Sequence, residues 1–303
     1  MKSITSKKKL WIIITVAVLV VGFVFFAIFG LNKSVDFKDS YEVSISVDDY
    51  NIDNATKTQE TVEKYFLDNG YKFVKDAEQL FDSSLGYKLV YKFANDIEID
   101  TFELKQIVSG LYDASYNMTV SVEYRDVVVS NQTYFGWALL ALGLALVASF
   151  IYVLIFEKGI GALTMALVSL VGSFLYFALV AITRIPTNNY FAFMLSSALV
   201  LGAVLSSGMV NRFREEIRLN DSVSNGSEKL SNPQIADKAA LSSLLRFVFV
   251  FGALLIVSLV MIAFGAVTVK IIGLNLLVVA ISSVFASFVG TPLIWSALKD
   301  CKK

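Results

Sequence analysis

Histidine is absent from this chain of 303 residues, cysteine occurs once, and six long apolar runs contain not one Lys, Arg, Asp or Glu. Each absence excludes something. Without a histidine, a cysteine pair or a convergent acid–base set in or near the apolar runs, an enzyme is the least favoured class, and no catalytic or metal-ligating residue is expected. The lone Cys301 rules out an internal disulfide in a monomer, and its place beside Lys302 marks it as a reduced, cytoplasmic thiol. No glycine-rich phosphate loop occurs in the polar part of the chain, so no cofactor is implied, and nothing points to nucleic acid. Apolar runs free of ionisable groups offer no proton relay or ion pathway of their own.

What the chain does have is length in those runs. They cover 10–31, 134–156, 159–183, 190–210, 247–269 and 271–298, and each meets the roughly 20 residues a helix needs to cross the hydrocarbon core. With 56% hydrophobic and 17% charged residues and a mean hydropathy of +0.65, too little polar surface remains for a water-soluble globule. The expected fold class is a polytopic α-helical membrane protein with six spans. The first run follows Lys7, Lys8 and Lys9 as a signal peptide would, but it is longer than a signal core and lacks an A-x-A-like cleavage site. It reads as an uncleaved first span.

Charge sets the expected orientation. If the amino terminus is inside, the inner pieces are 1–9, Glu157 and Lys158, the connector 211–246 and the tail 299–303. These hold 14 Lys and Arg against 7 Asp and Glu, whereas 32–133 holds 10 against 19. The positive-inside rule then places 32–133 outside the cell membrane and both termini in the cytoplasm. The expected division is a first span ending at 31, an extracytoplasmic domain over 32–133, spans two to four over 134–210, a connector over 211–246, spans five and six over 247–298 and a short tail.

In the insert, 41–47 alternates apolar and polar residues as a half-buried strand does. Helical spacing follows over 55–69, ended by Asn69 and Gly70. Strands are expected at 71–74 and 87–93, separated by turn residues at 82–86. Asp100 or Thr101 caps a second helix to about Tyr112, and 118–129 alternates again. Strand, helix, strand, strand, helix, strand is the split βαβ order, so the insert is expected to be an α+β ferredoxin-like domain. Its scattered acids read as solvated faces. Three Asn-x-Thr triplets, starting at Asn54, Asn117 and Asn131, read as chance matches to the glycosylation pattern.

Within the spans, small residues recur four apart: Ala141, Ala145 and Ser149; Ala198, Gly202 and Ser206; Ser282, Ala286 and Gly290. Such rows let helix backbones approach closely. The connector reads as a flexible linker over 221–232, followed by a short amphipathic stretch over 235–245 suited to the inner interface.

Four stretches resemble the SecF family, the smaller membrane subunit of the bacterial SecD/SecF export complex. Gly30-Leu31-Asn32 followed by Val35-Asp36-Phe37 is similar to the family's G-L-N-x-G-I-D-F. Asn211-Arg212-Phe213-Arg214-Glu215 after Val210 is similar to F-D-R-I-R-E. The region 239–246 resembles an L-S-R-T segment, and 288–295, with Thr291-Pro292-Leu293, resembles a terminal I-A-T-P-L-L-L-W. The resemblance implies one half of an RND-type transporter, with six spans and a ferredoxin-like domain after the first. It also implies a SecD-like partner, the SecY channel and translocating polypeptide as contacts, all at the lipid bilayer.

Departures accompany the matches. Asp39 and Ser40 replace a glycine pair, and Val204 and Leu205 stand where the family's fourth span carries Asn-Asp. Ser243 stands where the fifth span carries Arg, with Arg246 nearly one turn further on as a candidate for coupling or partner contact. In the family that Asp and Arg take part in proton coupling. Val204 and Leu205 cannot bind a proton, so the resemblance implies a titrating group on another subunit. Arg212, Arg214 and Arg218 suit the helix dipole and the anionic leaflet, which leaves topology anchoring and partner contact both open. Two other functions remain: an RND-type exporter half for small molecules or lipids, and a membrane-anchored scaffold or binding protein.

Overall fold

Alternation in the insert becomes strand. In β1 (Ser40–Val47) the side chains of Val43, Ile45 and Val47 are buried. β3 (Gly86–Phe93) buries Tyr87, Leu89, Tyr91 and Phe93 in the same core. The computed structural model describes residues 4–32, 40–49, 51–71, 73, 78–82, 86–93, 99–112, 116–125, 131–156, 159–187, 190–222, 229–265 and 267–301. It divides into a sheet unit, Lys33–Ser130, and a helical unit made of Met1–Asn32 and Asn131–Lys303.

The sheet unit runs β1, α2 (Ile52–Asp68), β2 (Glu78–Asp82), β3, α3 (Thr101–Ser109) and β4 (Met118–Arg125), after the first-span helix α1 (Lys8–Phe29). Its sheet order is β2-β3-β1-β4 with every neighbouring pair antiparallel. Both helices start at side-chain caps: Asn51 accepts from the Asp53 amide, and Asp100 from the amides of Phe102 and Glu103. One core joins Val43, Ile45 and Val47 to Val62 and Phe66 of α2 and to Leu104 and Val108 of α3. Phe66 centres it, its ring 5.1 Å from Tyr91 and 5.0 Å from Phe93. The buried hydroxyls of Tyr87 and Thr58 bond each other at 2.9 Å, so neither is stranded in the core.

β3 pairs with a strand not anticipated from the alternation, β2, which sets Asp82 against Gly86 and Glu78 against Val90. Of the expected strand at 71–74, Tyr71 and Phe73 are described: both rings pack on Phe66, and Phe73 forms an antiparallel bridge to Phe93 of β3. Positions 72 and 74 lie outside the described residues. The final strand is described to Arg125, and 126–130 lies outside the described residues.

The helical unit contains α1, α4 (Asn131–Phe156), α5 (Ile160–Thr183), α6 (Phe191–Ser222), α7 (Asn232–Phe264), α8 (Val267–Phe285) and α9 (Thr291–Cys301). Among the described residues, five helical segments are long and apolar enough to cross a membrane: Thr5–Phe29, Ile160–Thr183, Phe191–Ser222, Asn232–Phe264 and Val269–Cys301. This is a multi-pass membrane protein. α4 is a further helix of 26 residues whose described apolar stretch is Leu139–Ser149. α5, α6 and α8 pack together, α1 lies along α5, α4 along α6, and α7 along α8. Lipid tails are as apolar as leucine, so close approach rather than hydrophobic exclusion must hold such helices together. Gly22 of α1 is a clear instance, because a Cβ there would collide with Ala178 of α5.

Three boundaries differ from expectation. α6 continues as helix through Ser222 and α7 begins at Asn232, so most of the connector 211–246 is the ends of two long helices. Only 223–228 of the expected linker lies outside the described residues. The stretch 235–245 is no separate interfacial helix: Ile235, Ala236, Ala239 and Ala240 are buried in a core with Phe213 and Trp295. α7 ends at Gly265 and α8 begins at Val267, which puts Lys270 inside the first turn of α8. Toward its end that helix takes a π turn, Ala286–Gly290, before α9. Pro292 has no N–H to give the carbonyl four residues back, and the π turn accommodates it without a break.

Candidate functional site

The helical unit has two ends: the junction end, where the chain leaves for the sheet unit after Asn32 and returns at Asn131, and the opposite, distal end. At the junction end the expected Gly30 and Asn32 meet Arg184 and Thr187 of the turn after α5. α1 ends at Gly30, whose φ of 62° suits glycine and whose amide bonds the Phe26 carbonyl. α5 ends at Arg184, the only non-glycine residue with positive φ among the described residues. That conformation costs on the order of 1–2 kcal/mol.

Arg184 is held there from both sides. Its Nη1 donates to the carbonyls of Gly30 at 2.6 Å and Phe29 at 3.3 Å, and the guanidinium lies 5.7 Å from the centre of the Phe29 ring. The Asn32 side-chain amide donates to the Arg184 carbonyl at 2.7 Å. The Asn32 carbonyl accepts twice from Thr187, from its amide at 2.7 Å and its hydroxyl at 3.0 Å. Behind this turn sits Asn275 of α8, 2% exposed. Its Nδ2 donates to the Pro186 carbonyl at 3.2 Å and the Ile271 carbonyl at 2.9 Å, while Oδ1 accepts from the buried Tyr176 hydroxyl at 2.8 Å. A signal for Asn275 existed, since it is the only amide side chain in the six apolar runs. Asp36 and Phe37 lie outside the described residues.

The middle of the bundle is a seam of small residues. Ala198, Gly202 and Ser206 of α6 are buried, and they are reached by Ser283 of α8, which donates to the Ala198 carbonyl at 3.1 Å, and by Ser287 of the π turn, which donates to the Gly202 carbonyl at 3.2 Å. Ser206 also donates to Gly202, at 2.6 Å. Most buried hydroxyls in the spans bond carbonyls in this way. Ser243 and Thr291 do not: both are buried, and their hydroxyl oxygens have no hydrogen-bond partner among the described residues. Val204 is exposed and Leu205 buried, so α6 presents apolar groups at both positions.

The remaining expected residues lie at the distal end. Asn211, Arg212, Arg214 and Glu215 are exposed on the continuation of α6, where Arg212 and Glu215 pair at 2.6 Å. Arg246 is exposed on α7, its guanidinium resting on Gly208 of α6 where any Cβ would strike it. Thr291 and Pro292 are buried at the start of α9. The structure therefore does not gather these residues into one site. The same end is stapled by polar pairs: Thr5 donates its amide and hydroxyl to Asp237, Lys238 meets Glu216 at 2.7 Å, and Asn232 donates to Asp300 at 2.7 Å.

No protein-family model and no curated protein matches the sequence. Solved structures do match. SecDF in its super-membrane-facing form aligns with a TM-score of 0.72 at 15% identity, over 99% of this chain and 39% of that one. SecDF of Thermus thermophilus, described as a translocon-associated membrane protein, aligns with a TM-score of 0.59 at 13% identity, over 97% and 59%. The chain has a SecDF-like fold. It spans about two-fifths and three-fifths of the length of those two SecDF chains.

Proposed function

We propose that this chain is a SecF-like accessory subunit of the Sec protein translocase, assisting polypeptide export with a SecD-like partner and the SecY channel. In this reading α1, α4, α5, α6, α7 and the joined α8 and α9 make six spans, and the sheet unit is a ferredoxin-like domain on the extracytoplasmic side. A helix of 26 residues, about 39 Å long, gives α4 the length to span. The order β2-β3-β1-β4 supports the domain assignment, and the basic excess at the distal end supports cytoplasmic termini. The observation that carries the reading is likeness to SecDF along 99% of the chain, joined to the G-L-N, N-R-F-R-E and T-P-L stretches. The SecD-like partner would contribute the part of that fold the chain does not span. With Val204 and Leu205 in the fourth span, any proton carrier belongs to the partner.

Pulse-labelled export of a secreted protein tests this in cells depleted of the chain. Slowed export, restored by re-expression, is the expected result. Normal export together with lost efflux of a small molecule or lipid would overturn it in favour of an RND-type exporter half.

A further inference from the structure

We infer that the hydrogen-bonded run from Tyr176 through Asn275 and Pro186 to Arg184 and Asn32 is a releasable latch. It couples the packing of α8 against α5 to the point at which the first span hands the chain to the sheet unit. The hydrogen bonds from Tyr176 to Asn275, from Asn275 to Pro186, and between Arg184 and residues 30–32 each cross an element boundary, and the chain itself joins Pro186 to Arg184 within one turn. Tyr176 belongs to α5 and Asn275 to α8; Arg184, Pro186 and Thr187 form the turn between α5 and α6, and residues 29–32 close α1.

Three properties make this a device rather than a set of contacts. First, Asn275 has both amide hydrogens and its carbonyl oxygen engaged. A buried amide in a low-dielectric interior finds no water to replace a lost partner. A small slide of α8 therefore breaks a defined bond instead of loosening a diffuse contact. Second, Arg184 has another backbone well available. It stays left-handed while Gly30, Phe29 and Asn32 hold it, and rotation to the ordinary helical or extended region turns its carbonyl away from the Asn32 amide. The latch thus has two discrete arrangements, which is what transmission between sites needs. Third, α8 is one rigid helix over Val267–Phe285, tied to α6 by Ser283 and, just beyond, by Ser287 in the π turn. Displacement at the π turn reaches Asn275 through about two turns of unbroken helix between 275 and 283. The inference stands on this geometry and does not depend on the export reading.

Hydrogen exchange of the full chain in nanodiscs, read by mass spectrometry on peptides covering 26–32 and 184–190, tests the latch. Asn275→Leu is expected to raise exchange in both peptides about five- to tenfold, the equivalent of one lost hydrogen bond, while Ser258→Ala on α7 leaves both unchanged. Unchanged exchange over 26–32 in a folded Asn275→Leu chain would overturn the relay. If that variant fails to fold, Tyr176→Phe, which deletes one oxygen, decides the matter. A rise over 26–32 supports the latch and no rise refutes it.

Discussion

Among the described residues, the buried polar side chains of the helical unit are hydroxyls and one amide, and that choice has consequences residue by residue. Thr291 is the sharpest case, buried with an unbonded hydroxyl. Removing an unpaired polar atom at constant volume is neutral or favourable, so Thr291→Val should leave the melting temperature in detergent unchanged or raised. A fall equivalent to more than about 1 kcal/mol would show that the hydroxyl has a partner. Arg212 and Glu215 are about half exposed, and such pairs contribute roughly 0–1 kcal/mol. The double change Arg212→Ala/Arg214→Ala should therefore spare thermal stability but weaken membrane orientation or complex assembly, more than any change in the scattered acids of the insert. Cysteine-accessibility topology mapping and co-purification would check it, and unchanged results in both would refute it.

In the sheet unit, burial and then the Glu103 hydrogen bond push the Tyr65 hydroxyl up to about 12. Burial likewise pushes Tyr87 and Tyr91 up. An unfolded tyrosine ionises near 10, so between pH 10 and 12 the unfolded chain loses protons that the folded unit keeps. Stability present below pH 10 is lost as pH rises through that window. Exchange protection of β1 and β3 should fall there, and Tyr65→Phe should flatten part of the fall. Protection that holds steady across the window would contradict the shifts.

At the scale of elements, the distal ends of α6 and α7 form a packed pair. The buried Phe213 ring lies 4.6 Å from the Trp295 ring, within a core that includes Ile235 and Ala239. Phe213→Ala should cost about 3–5 kcal/mol, read as a large drop in melting temperature, whereas Leu219→Ala on the exposed side should not. This pair was hidden in the sequence for a physical reason. Charged residues at 211–222 and 237–246 end the apolar runs, but charge bounds the membrane, not the helix, and backbone hydrogen bonding continues past it. The break between the runs 247–269 and 271–298, at Lys270, likewise falls inside a helix. β2 was hidden because its residues, Glu78 to Asp82, carry little alternation, and proximity to β3 decides the pairing. Where alternation and caps were strong, at β1, β3, Asp100 and Gly70, the local structure was legible.

For the whole molecule, the order of apolar runs and the polar insert anticipated a multi-pass membrane protein, and the four stretches that resemble the SecF family pointed to the SecDF-like fold. The candidate site was less legible, because its parts lie far apart in sequence. Asn32, Arg184 and Asn275 come together only once the ends of α1 and α5 meet α8, and no local spacing announces that. The Gly30-Leu31-Asn32 stretch could be picked out, but its partners Arg184 and Thr187 could not. The proposed role as a SecF-like subunit acting with a SecD-like chain is tested most directly by purifying the tagged protein from its native membrane in mild detergent and identifying its companions by mass spectrometry. Recovery of a SecD-like chain or the SecY channel is the expected result. Recovery of the protein alone, as a symmetric oligomer, would contradict it.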